Sequence, residues 1–330
     1  MRHLIPSEKL AAVEEALLQA FGTAAPDAPP RPMIGGMSGA RLFRIRVGGI
    51  PYILRLEPER APPFGDPVRA HACMRIAAEA CLAPPVRYAD AATGVVIMDL
   101  IAEQPLTEYR GDLMVELGQS ARLLHETKAF PPLVDYLAGM DVLLGWFRVA
   151  GLVTPEADEL FERFAAFRDR YATPEADLVS SHNDLNARNV LYDGRRLWLI
   201  DWDAAFLADR YVDLAGLANW FGAGAEDTER LLATYFRASP TEAQRARLWL
   251  MRQVNHLFYG VMFALSGAEL RRPADIAGAR GLAELRADLA GGRLDLHRAG
   301  VRLEFGAALL AEALAGFRSA GFGAQLARAA

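Results

Sequence analysis

Within the first hundred residues, residues 42–47 alternate apolar and basic side chains with the period of two that is typical of β-strands. Residues 42–47 and 51–56 flank Gly48-Gly49, a dipeptide that suits a tight turn, and so predict a β-hairpin. The other elements predicted in this part are strands at residues 86–88 and 94–98 and helices at residues 7–21 and 67–82. We expect residues 1–100 to form a small antiparallel sheet with two helices.

From residue 101 onward, apolar residues recur every three or four positions, which places them on one face of an α-helix. Pro105 interrupts the pattern near the change from strands to helices. Helices are predicted at residues 112–126, 135–149, 155–171, 228–236 and 241–265, and helical periodicity continues to residue 330. We therefore expect an N-terminal lobe of residues 1–100 and a helical C-terminal lobe of residues 101–330.

Residues 181–203 break the helical pattern with two short apolar runs, 190–192 and 197–200, on either side of Asp193-Gly194. This pattern predicts a second β-hairpin. Asn189 precedes the first strand and Asp201 follows the second, so the two residues are expected to meet at one end of the hairpin. An amide oxygen and a carboxylate that converge there suit Mg²⁺ bound to nucleotide phosphates.

Asp184 lies five residues before Asn189, where its carboxylate can take the proton of an incoming hydroxyl. Alone, each of the polar residues Asp184, Asn189 and Asp201 is more typical of a turn or a helix cap. Together, the His-x-Asp-x4-Asn spacing, the hairpin and the Ile-Asp-x-Asp sequence match the arrangement in kinases. Phosphoryl transfer is therefore the leading functional prediction.

A glycine-rich turn near residue 35 is the candidate for contacts with phosphate. Gly35, Gly36 and Gly39 allow backbone N–H groups to approach phosphate oxygens closely, although a plain hairpin would also use them. Arg55 follows on the return strand, where protein kinases place a phosphate-binding lysine. A surface position on the strand is the alternative interpretation of Arg55.

Composition and charge narrow the choice of function. Apolar residues make up 52% of the 330 residues and charged residues 23%, as in ordinary globular proteins. The net charge of −5 argues against a general nucleic-acid binder and is compatible with a cationic small substrate. The longest uncharged apolar run, residues 257–268, is too short to span a bilayer, and residues 1–10 lack the apolar core of a signal peptide. We expect a cytoplasmic enzyme.

Several other residues are expected to have structural roles. Cys73 and Cys81 fall in one predicted helix, about 12 Å apart and so too distant for a disulfide, as expected for reduced residues of a cytoplasmic protein. His125 is expected to be a packed or capping histidine, and Asp213 a helix cap or loop anchor. The arginines expected on solvated helix faces are Arg271, Arg272, Arg280 and Arg286.

Four motifs occur in a fixed order along the chain: Gly35-Gly36-Met37-Ser38, Ile53-Leu54-Arg55-Leu56, His182-Asn183-Asp184-Leu185 and residues 255–260. With them, nearly the whole chain resembles the aminoglycoside phosphotransferase and choline/ethanolamine kinase superfamily of protein-kinase-like small-molecule kinases. It is more similar to the choline/ethanolamine branch. The resemblance implies an α+β fold with two lobes, a small antiparallel-sheet lobe and a mostly helical one, and implies ATP and Mg²⁺ as cofactors.

The resemblance also implies a role for individual residues. Asp184 matches the catalytic aspartate that orients and deprotonates the acceptor hydroxyl, and Asn189 and Asp201 match the Mg²⁺ ligands. Asp203 matches an acidic residue that contacts a second metal or the substrate. The residues expected to bind the nucleotide are Gly35, Gly36, Met37, Ser38, Gly39 and Arg55, together with Asp99 and Ile101 of the connector between the lobes.

The sequence departs from the family pattern in ways that leave the substrate open. No acidic residue on the helix at residues 67–82 is a clear partner for Arg55. Either Glu79 or a residue elsewhere is expected to pair with it, or Arg55 is held in a different way. Trp220 and Tyr259 are candidates for binding a cationic acceptor, or for core packing alone. A choline- or ethanolamine-like alcohol is the expected acceptor. The alternatives are a kinase for an aminoglycoside, thiamine or a sugar alcohol, and an ATP-binding pseudokinase scaffold.

The expected partners follow from the same observations. We expect a small-molecule alcohol substrate and neither nucleic-acid nor membrane partners. Both a monomer and a homodimer are compatible with the sequence, as are ATP and GTP as phosphate donors.

Overall fold

The computed structural model describes residues 4–33, 39–58, 65–270 and 272–329. Its β-strands are β1 Arg31–Met33, β2 Arg41–Val47, β3 Ile50–Leu56, β4 Val86–Asp90, β5 Val95–Asp99, β6 Leu178–Ser181, β7 Val190–Tyr192, β8 Leu197–Leu199 and β9 Phe206–Asp209. Strands β1 to β5 form one antiparallel sheet in the order β1-β2-β3-β5-β4. Strand β6 pairs with β9, and β7 pairs with β8.

The α-helices are α1 Leu10–Phe21, α2 Pro67–Glu79, α3 Leu113–His125, α4 Tyr136–Val149, α5 Pro155–Arg168, α6 Arg210–Phe221, α7 Ala225–Phe236, α8 Glu242–Ser266, α9 Leu282–Ala290, α10 Ala299–Arg318 and α11 Phe322–Ala329. Several of these helices have an N-cap residue whose side-chain oxygen accepts a hydrogen bond from a backbone N–H of the first turn. Asp66 accepts from a backbone N–H at the start of α2, and Thr241 begins α8 with a capping box completed by Gln244.

The first hairpin forms as the sequence predicts. Gly48 and Gly49 have positive φ angles of 58° and 80°, which a two-residue turn of this kind requires. In β2, Phe43, Ile45 and Val47 are buried while the residues between them are exposed or partly buried, so the alternation in the sequence becomes one face of the sheet. Val13 and Leu17 of α1 belong to the same core as this face.

Several predicted boundaries were wrong. The helix predicted at residues 7–21 is instead a short 3-10 helix, Ser7–Lys9, followed by α1, which ends at Phe21 before Gly22 with a φ of 72°. Helix α2 ends at Glu79, so Cys81 lies beyond the helix that was expected to contain both cysteines. Strands β1, β6 and β9 were not predicted.

Two compact units make up the chain. Unit 1 comprises residues 1–133 and 179–213, and unit 2 comprises residues 134–178 and 214–330. The predicted α+β class is confirmed, because a five-stranded antiparallel sheet in the N-terminal part precedes a mostly helical C-terminal part. The lobe boundary between residues 100 and 101 stays a prediction. Within the described residues, every helix is too short or too polar to cross a bilayer.

Candidate active site

The second hairpin positions two of the predicted site residues in unit 1. Strands β7 and β8 pair from Val190–Leu199 to Tyr192–Leu197, and the backbone N–H of Ile200 donates to the Asn189 carbonyl at 3.0 Å. Asn189 therefore lies beside the residue that precedes Asp201, as the twelve-residue spacing predicts. Asp201 itself has a φ of 65°, a left-handed conformation that non-glycine residues seldom adopt outside functional or tightly constrained sites.

Asp184 is held by two amide side chains of its own loop. Asn189 Nδ2 donates to Asp184 Oδ2 and Asn186 Nδ2 donates to Asp184 Oδ1, both at 2.9 Å. The carboxylate is partly buried. Because its amide nitrogen donates to Asp184, Asn189 both orients that carboxylate and presents its Oδ1 as the atom suited to a metal.

Asp213 anchors the backbone of the same loop. Its side chain is fully buried and accepts hydrogen bonds from the backbone N–H groups of His182 at 2.8 Å and Asn183 at 2.7 Å. The His125 Nε2 atom lies 3.0 Å from the same carboxylate. Burial disfavours the charge, but the hydrogen bonds and the two histidines lower the pKa of Asp213 below its ordinary value. The expectations of a loop anchor at Asp213 and a packed histidine at His125 are confirmed.

Arg55 lies among three carboxylates. Its guanidinium contacts Glu57 at 2.8 Å, Asp201 at 3.2 Å and Asp203 at 2.5 Å. Burial disfavours the charge of Arg55, but Asp203, Glu57 and Asp201 outweigh this effect and raise the pKa of the guanidinium. Burial also raises the pKa of Asp203 despite the contact with Arg55, and the nearby Asp201 and Glu57 carboxylates add like-charge repulsion.

Glu57 is an acidic partner of Arg55 that was not predicted from the sequence. It follows Arg55 by two residues, and side chains two apart on a strand lie on the same face. Burial raises the pKa of Glu57, but His71 at 3.6 Å and Arg55 outweigh this effect and hold that pKa at about 2. The predicted candidate Glu79 is exposed at the end of α2, and Arg55 forms no ion pair with it. The alternation within β3 is the signal that would have indicated Glu57.

Helix α2 holds the segment that carries Asp203. Arg69 is 3% exposed and donates to the Asp203 carbonyl at 2.8 Å and to the Ala205 carbonyl. The Cys73 thiol also donates to the Ala205 carbonyl, at 3.4 Å. Burial raises the pKa of Cys73 to about 12, so its thiol is protonated at neutral pH and has a structural role.

The donor set fits a magnesium ion that is shared with phosphates. Asn189, Asp201 and Asp203 offer amide and carboxylate oxygens, the hard ligands that Mg²⁺ prefers. Among the described residues, no group of three or more His, Cys, Asp or Glu side chains could hold a metal by itself. Mg²⁺ is usually bound through one or two carboxylates together with substrate phosphates, so the residues present fit such a shared site.

The sequence also matches the model of a known protein family. The model of the phosphotransferase enzyme family named APH matches residues 31–249. The chain belongs to this phosphotransferase family. No curated relative matches its sequence.

Solved structures similar to this phosphotransferase include a choline/ethanolamine kinase family protein, an ethanolamine kinase and a choline kinase. A choline/ethanolamine kinase family protein from Mesorhizobium loti has a TM-score of 0.67 and 21% identity, over 97% of this chain and 99% of that chain. An ethanolamine kinase from Plasmodium vivax has a TM-score of 0.61 and 14% identity, over 94% and 88%. The choline kinase LicA from Streptococcus pneumoniae has a TM-score of 0.56 and 14% identity, over 90% and 99%, and LicA has also been solved with AMP. These similarities show the shared fold.

The predicted nucleotide residues of the phosphotransferase have mixed positions. Gly35, Gly36, Met37 and Ser38 lie outside the described residues, and Gly39 has a φ of 78°. The Asp99 carboxylate binds the Arg87 guanidinium through two hydrogen bonds of 2.6 and 2.7 Å. Ile101, just after β5, is partly buried. Their nucleotide contacts stay predictions.

The predicted acceptor residues of the phosphotransferase lie in unit 2. The Trp220 and Tyr259 rings meet edge to face with centroids 5.4 Å apart, and Tyr259 belongs to a buried cluster with Phe305. The Arg286 guanidinium lies 5.5 Å from the Trp220 ring centroid. The expectation that Arg286 lies on a solvated face was wrong, because this stacking partly buries it. Nothing in the sequence near Arg286 indicates a contact with a residue 66 positions away.

Proposed function

We propose that this phosphotransferase transfers the γ-phosphate of ATP to a hydroxyl group of a small molecule. The observation that carries the proposal is the arrangement in unit 1, where Asp184 is held by Asn189, and Asp201 and Asp203 lie against Arg55. Little covalent chemistry is required of a protein in this reaction, which depends on positioning and on neutralising charge. The arrangement supplies a positioned carboxylate, Asp184, and a group that can neutralise phosphate charge, Arg55.

Asp184 is the proposed base for the acceptor. The hydrogen bonds from Asn186 and Asn189 hold its carboxylate in one orientation, and a carboxylate oxygen is the group that would accept the proton of the acceptor hydroxyl. The proton passes from the hydroxyl to an Asp184 oxygen as the hydroxyl oxygen bonds to the γ-phosphorus of ATP. The bond from that phosphorus to the β,γ-bridging oxygen breaks, and ADP leaves. The anchoring of His182 and Asn183 by Asp213 fixes the backbone on which Asp184 stands.

Arg55 and the metal ligands are proposed to neutralise the phosphates. Asn189 and Asp201 would hold Mg²⁺, with Asp203 as a further ligand or a substrate contact. When bound, Mg²⁺ supplies positive charge against the β- and γ-phosphates. Arg55 contributes a permanent positive charge and planar N–H donors that match phosphate oxygens. The complex of LicA with AMP supports nucleotide use in this fold.

The acceptor proposed first is a choline- or ethanolamine-like alcohol. Support comes from the choline and ethanolamine kinases among the similar structures. A putative fructosamine-3-kinase from Thermobifida fusca, with a TM-score of 0.56 and 18% identity over 77% of this chain and 93% of that chain, shares the fold, so the fold by itself accommodates different acceptors. An aminoglycoside, thiamine or sugar alcohol is the alternative acceptor within the same reaction.

Release of ADP in the presence of a panel of hydroxylated acceptors tests the reaction. We expect Asp184→Asn to lower kcat by about 10²–10⁴-fold, the usual contribution of a general base, and Asp201→Asn to abolish Mg²⁺-dependent turnover. The matched control is Asp158→Asn, because Asp158 is an exposed residue of α5, and this variant should keep full activity. All variants should melt at the wild-type temperature.

Two results would contradict the proposal. Unchanged ADP release by Asp184→Asn would remove the base, and binding of Mg·ATP without turnover of any acceptor would favour the pseudokinase scaffold. The intact set of Asp184, Asn189 and Asp201 argues against that scaffold.

A further inference from the structure

One face of α8 carries a cation and polar groups in unit 2. Arg252, Asn255, His256 and Tyr259 recur at the three- and four-residue spacing that aligns side chains on a helix. Asn219, near the end of α6, fixes this face, since its Oδ1 accepts from Arg252 Nε at 2.7 Å and its Nδ2 donates to Asn255 Oδ1 at 2.9 Å. The Arg252 head group is therefore held in a defined position.

A second cation lies beside the same face. Arg286 of α9 stacks on Trp220, and the edge of Trp220 meets Tyr259. The π-face of Trp220 that would attract an ammonium group is thus shared with a guanidinium. Arg252, Arg286 and Trp220 are all partly buried. Part of each residue is therefore excluded from water and part remains accessible to solvent.

Some arginines of unit 2 have a carboxylate as counter-ion, whereas Arg252 and Arg286 have none among the residues that the structure describes. Arg245 pairs with Glu229 at 2.6 Å, and Arg280 with Asp288 at 2.6 Å. Across the described residues, neither Arg252 nor Arg286 comes within 4 Å of a carboxylate. Holding two like charges partly out of water without an anion has an electrostatic cost, and that cost disappears when an anion binds.

The electrostatics of the group agree with this reading. Burial lowers the pKa of the Arg252 guanidinium. Burial also lowers that of Arg286, where the exposed Glu312 acts in the opposite direction and Arg252 adds to the lowering. Both guanidiniums remain charged at neutral pH. Burial and the two arginines lower the pKa of His256 to about 3, so this histidine is neutral.

Two buried nitrogens of the group are also unsatisfied. Arg286 Nε and His256 Nδ1 have no hydrogen-bond partner among the residues that the structure describes. His256 is only 9% exposed. A buried polar atom without a partner costs free energy, and a bound ligand is one way in which such an atom is satisfied.

We propose that Arg252, Arg286 and His256 form a binding site for an oxyanion, a carboxylate or a phosphate group, carried by the acceptor. A guanidinium binds either group through two parallel N–H···O hydrogen bonds, and two guanidiniums supply the charge that neutralises it. The assignment of this anion to the acceptor rests on the proposed kinase function. It departs from the choline- or ethanolamine-like alcohol that the similar structures support, and makes the acceptor a hydroxylated anion or zwitterion, because a purely cationic alcohol would be repelled by both arginines.

Matched acceptors that differ by one anionic group test the proposal by ADP release. The pairs are ethanolamine and L-serine, 3-aminopropan-1-ol and L-homoserine, and glycerol and glycerol 3-phosphate. The first two test a carboxylate and the third a phosphate. We expect the anionic member of at least one pair to have a kcat/KM about 10-fold or more above its neutral or cationic counterpart.

Substitutions assign that preference to the site. Arg252→Gln and Arg286→Gln should each raise KM for the anionic acceptor about 10-fold and remove the preference, whereas Arg252→Lys, which keeps the charge, should retain part of it. Arg245→Gln is the matched control, since Arg245 is an exposed residue of the same helix. Equal kcat/KM values within every pair, or a preference that survives both glutamine variants, would overturn the proposal.

Anion binding measured without turnover separates this site from the kinase reaction. The full chain with its nucleotide site saturated by a non-hydrolysable Mg·ATP analogue is titrated with glycerol 3-phosphate and with L-serine, and the melting temperature is recorded at constant ionic strength. A rise that Arg252→Gln and Arg286→Gln abolish and Arg245→Gln retains supports the site, even if no acceptor is phosphorylated. In that case the proposed function fails and the anion site stands. Absence of any rise, together with turnover of choline or ethanolamine, refutes the site and leaves the kinase.

Discussion

Glu57 helps to orient the guanidinium of Arg55, the cation that is proposed to bind phosphate. Two of its contacts with Arg55 are hydrogen bonds, to Nε at 2.8 Å and to Nη2 at 3.3 Å, so the guanidinium is held from its side as well as by the aspartates at its tip. Without Glu57, Arg55 would be free to turn fully toward Asp201 and Asp203. It would then compete with the proposed Mg²⁺ for these two carboxylates.

Neutralising Glu57 should therefore weaken the use of Mg·ATP. We expect Glu57→Gln to raise KM for Mg·ATP about 10-fold or more, the usual size of an effect on residues that orient metal ligands. Glu79→Gln is the control, because Glu79 is exposed and was the alternative partner on α2. Steady-state kinetics at several Mg²⁺ concentrations measure the effect. An equal change in both variants would show that Arg55 is not held through Glu57.

At the scale of elements, glycines allow α8 and α10 to approach each other closely. A Cβ atom added to Gly306 would lie 2.9 Å from both the Ala264 nitrogen and the Gly260 oxygen, and one added to Gly260 would lie 3.0 Å from the Leu310 nitrogen. These neighbours are backbone atoms, which cannot move aside as a side chain can. The two helix backbones are thus in contact through glycines.

Alanine at Gly306 should force these helices apart. We expect Gly306→Ala to lower the free energy of unfolding by about 1–3 kcal/mol, since overpacking outweighs the gain in helix propensity. Gly300→Ala in the same helix is the control, because a Cβ there meets nothing within 4 Å, and it should be neutral or stabilising by up to about 1 kcal/mol. Urea titrations followed by tryptophan fluorescence compare the two. Equal stability of both variants would mean that the helices adjust without cost.

For the whole molecule, His256 makes stability depend on pH. Its pKa is about 3 in the folded state, because of burial and of Arg286 and Arg252, and lies near 6.5 in the unfolded chain. Between these values the unfolded chain binds more protons, so stability is complete above about pH 6.5 and falls as the pH is lowered. The Glu57 carboxyl has a pKa of about 2 in the folded state, so its contribution to stability is lost at lower pH, as the pH falls below about 4.5.

The contribution of His256 can be isolated between pH 7.5 and 5.5. We expect the wild type to lose about 1 kcal/mol more of its unfolding free energy over this range than His256→Gln, which cannot titrate. His297→Gln, at an exposed position, should behave as the wild type does. Parallel losses in wild type and His256→Gln would contradict the prediction. Urea titrations at both pH values provide the comparison.

The sequence predicts elements whose signals are local. The β7–β8 hairpin and the spacing of Asp184 and Asn189 lie within 20 residues and depend on turn chemistry and side-chain type. Strand β1 was missed because all three of its residues are exposed, so no alternation marks it. Strands β6 and β9 are short, and each forms only by pairing with a segment more than 20 residues away.

Contacts between distant elements could not be predicted for the same physical reason. The stacking of Arg286 on Trp220 and the hydrogen bonds from the 182–183 backbone to Asp213 arise from tertiary packing, which leaves no pattern in either segment. Glu57 differs, since the alternation of β3 already placed it on the face of Arg55. Glu57 was not predicted as a partner of Arg55, because that partner was expected on α2.

The pairing of Arg55 with Glu57, two residues further along the chain, bears on how the enzyme can be regulated. In protein kinases the equivalent cation pairs with a glutamate on a helix, and moving that helix switches the enzyme off. Here Arg55 lies on β3 and Glu57 directly follows that strand, so neither partner belongs to a helix. Displacement of α2 would remove the contact of His71 with Glu57 at 3.6 Å but would leave the Arg55–Glu57 ion pair in place. The orientation of Arg55 is therefore coupled to the folding of the sheet more than to the position of α2.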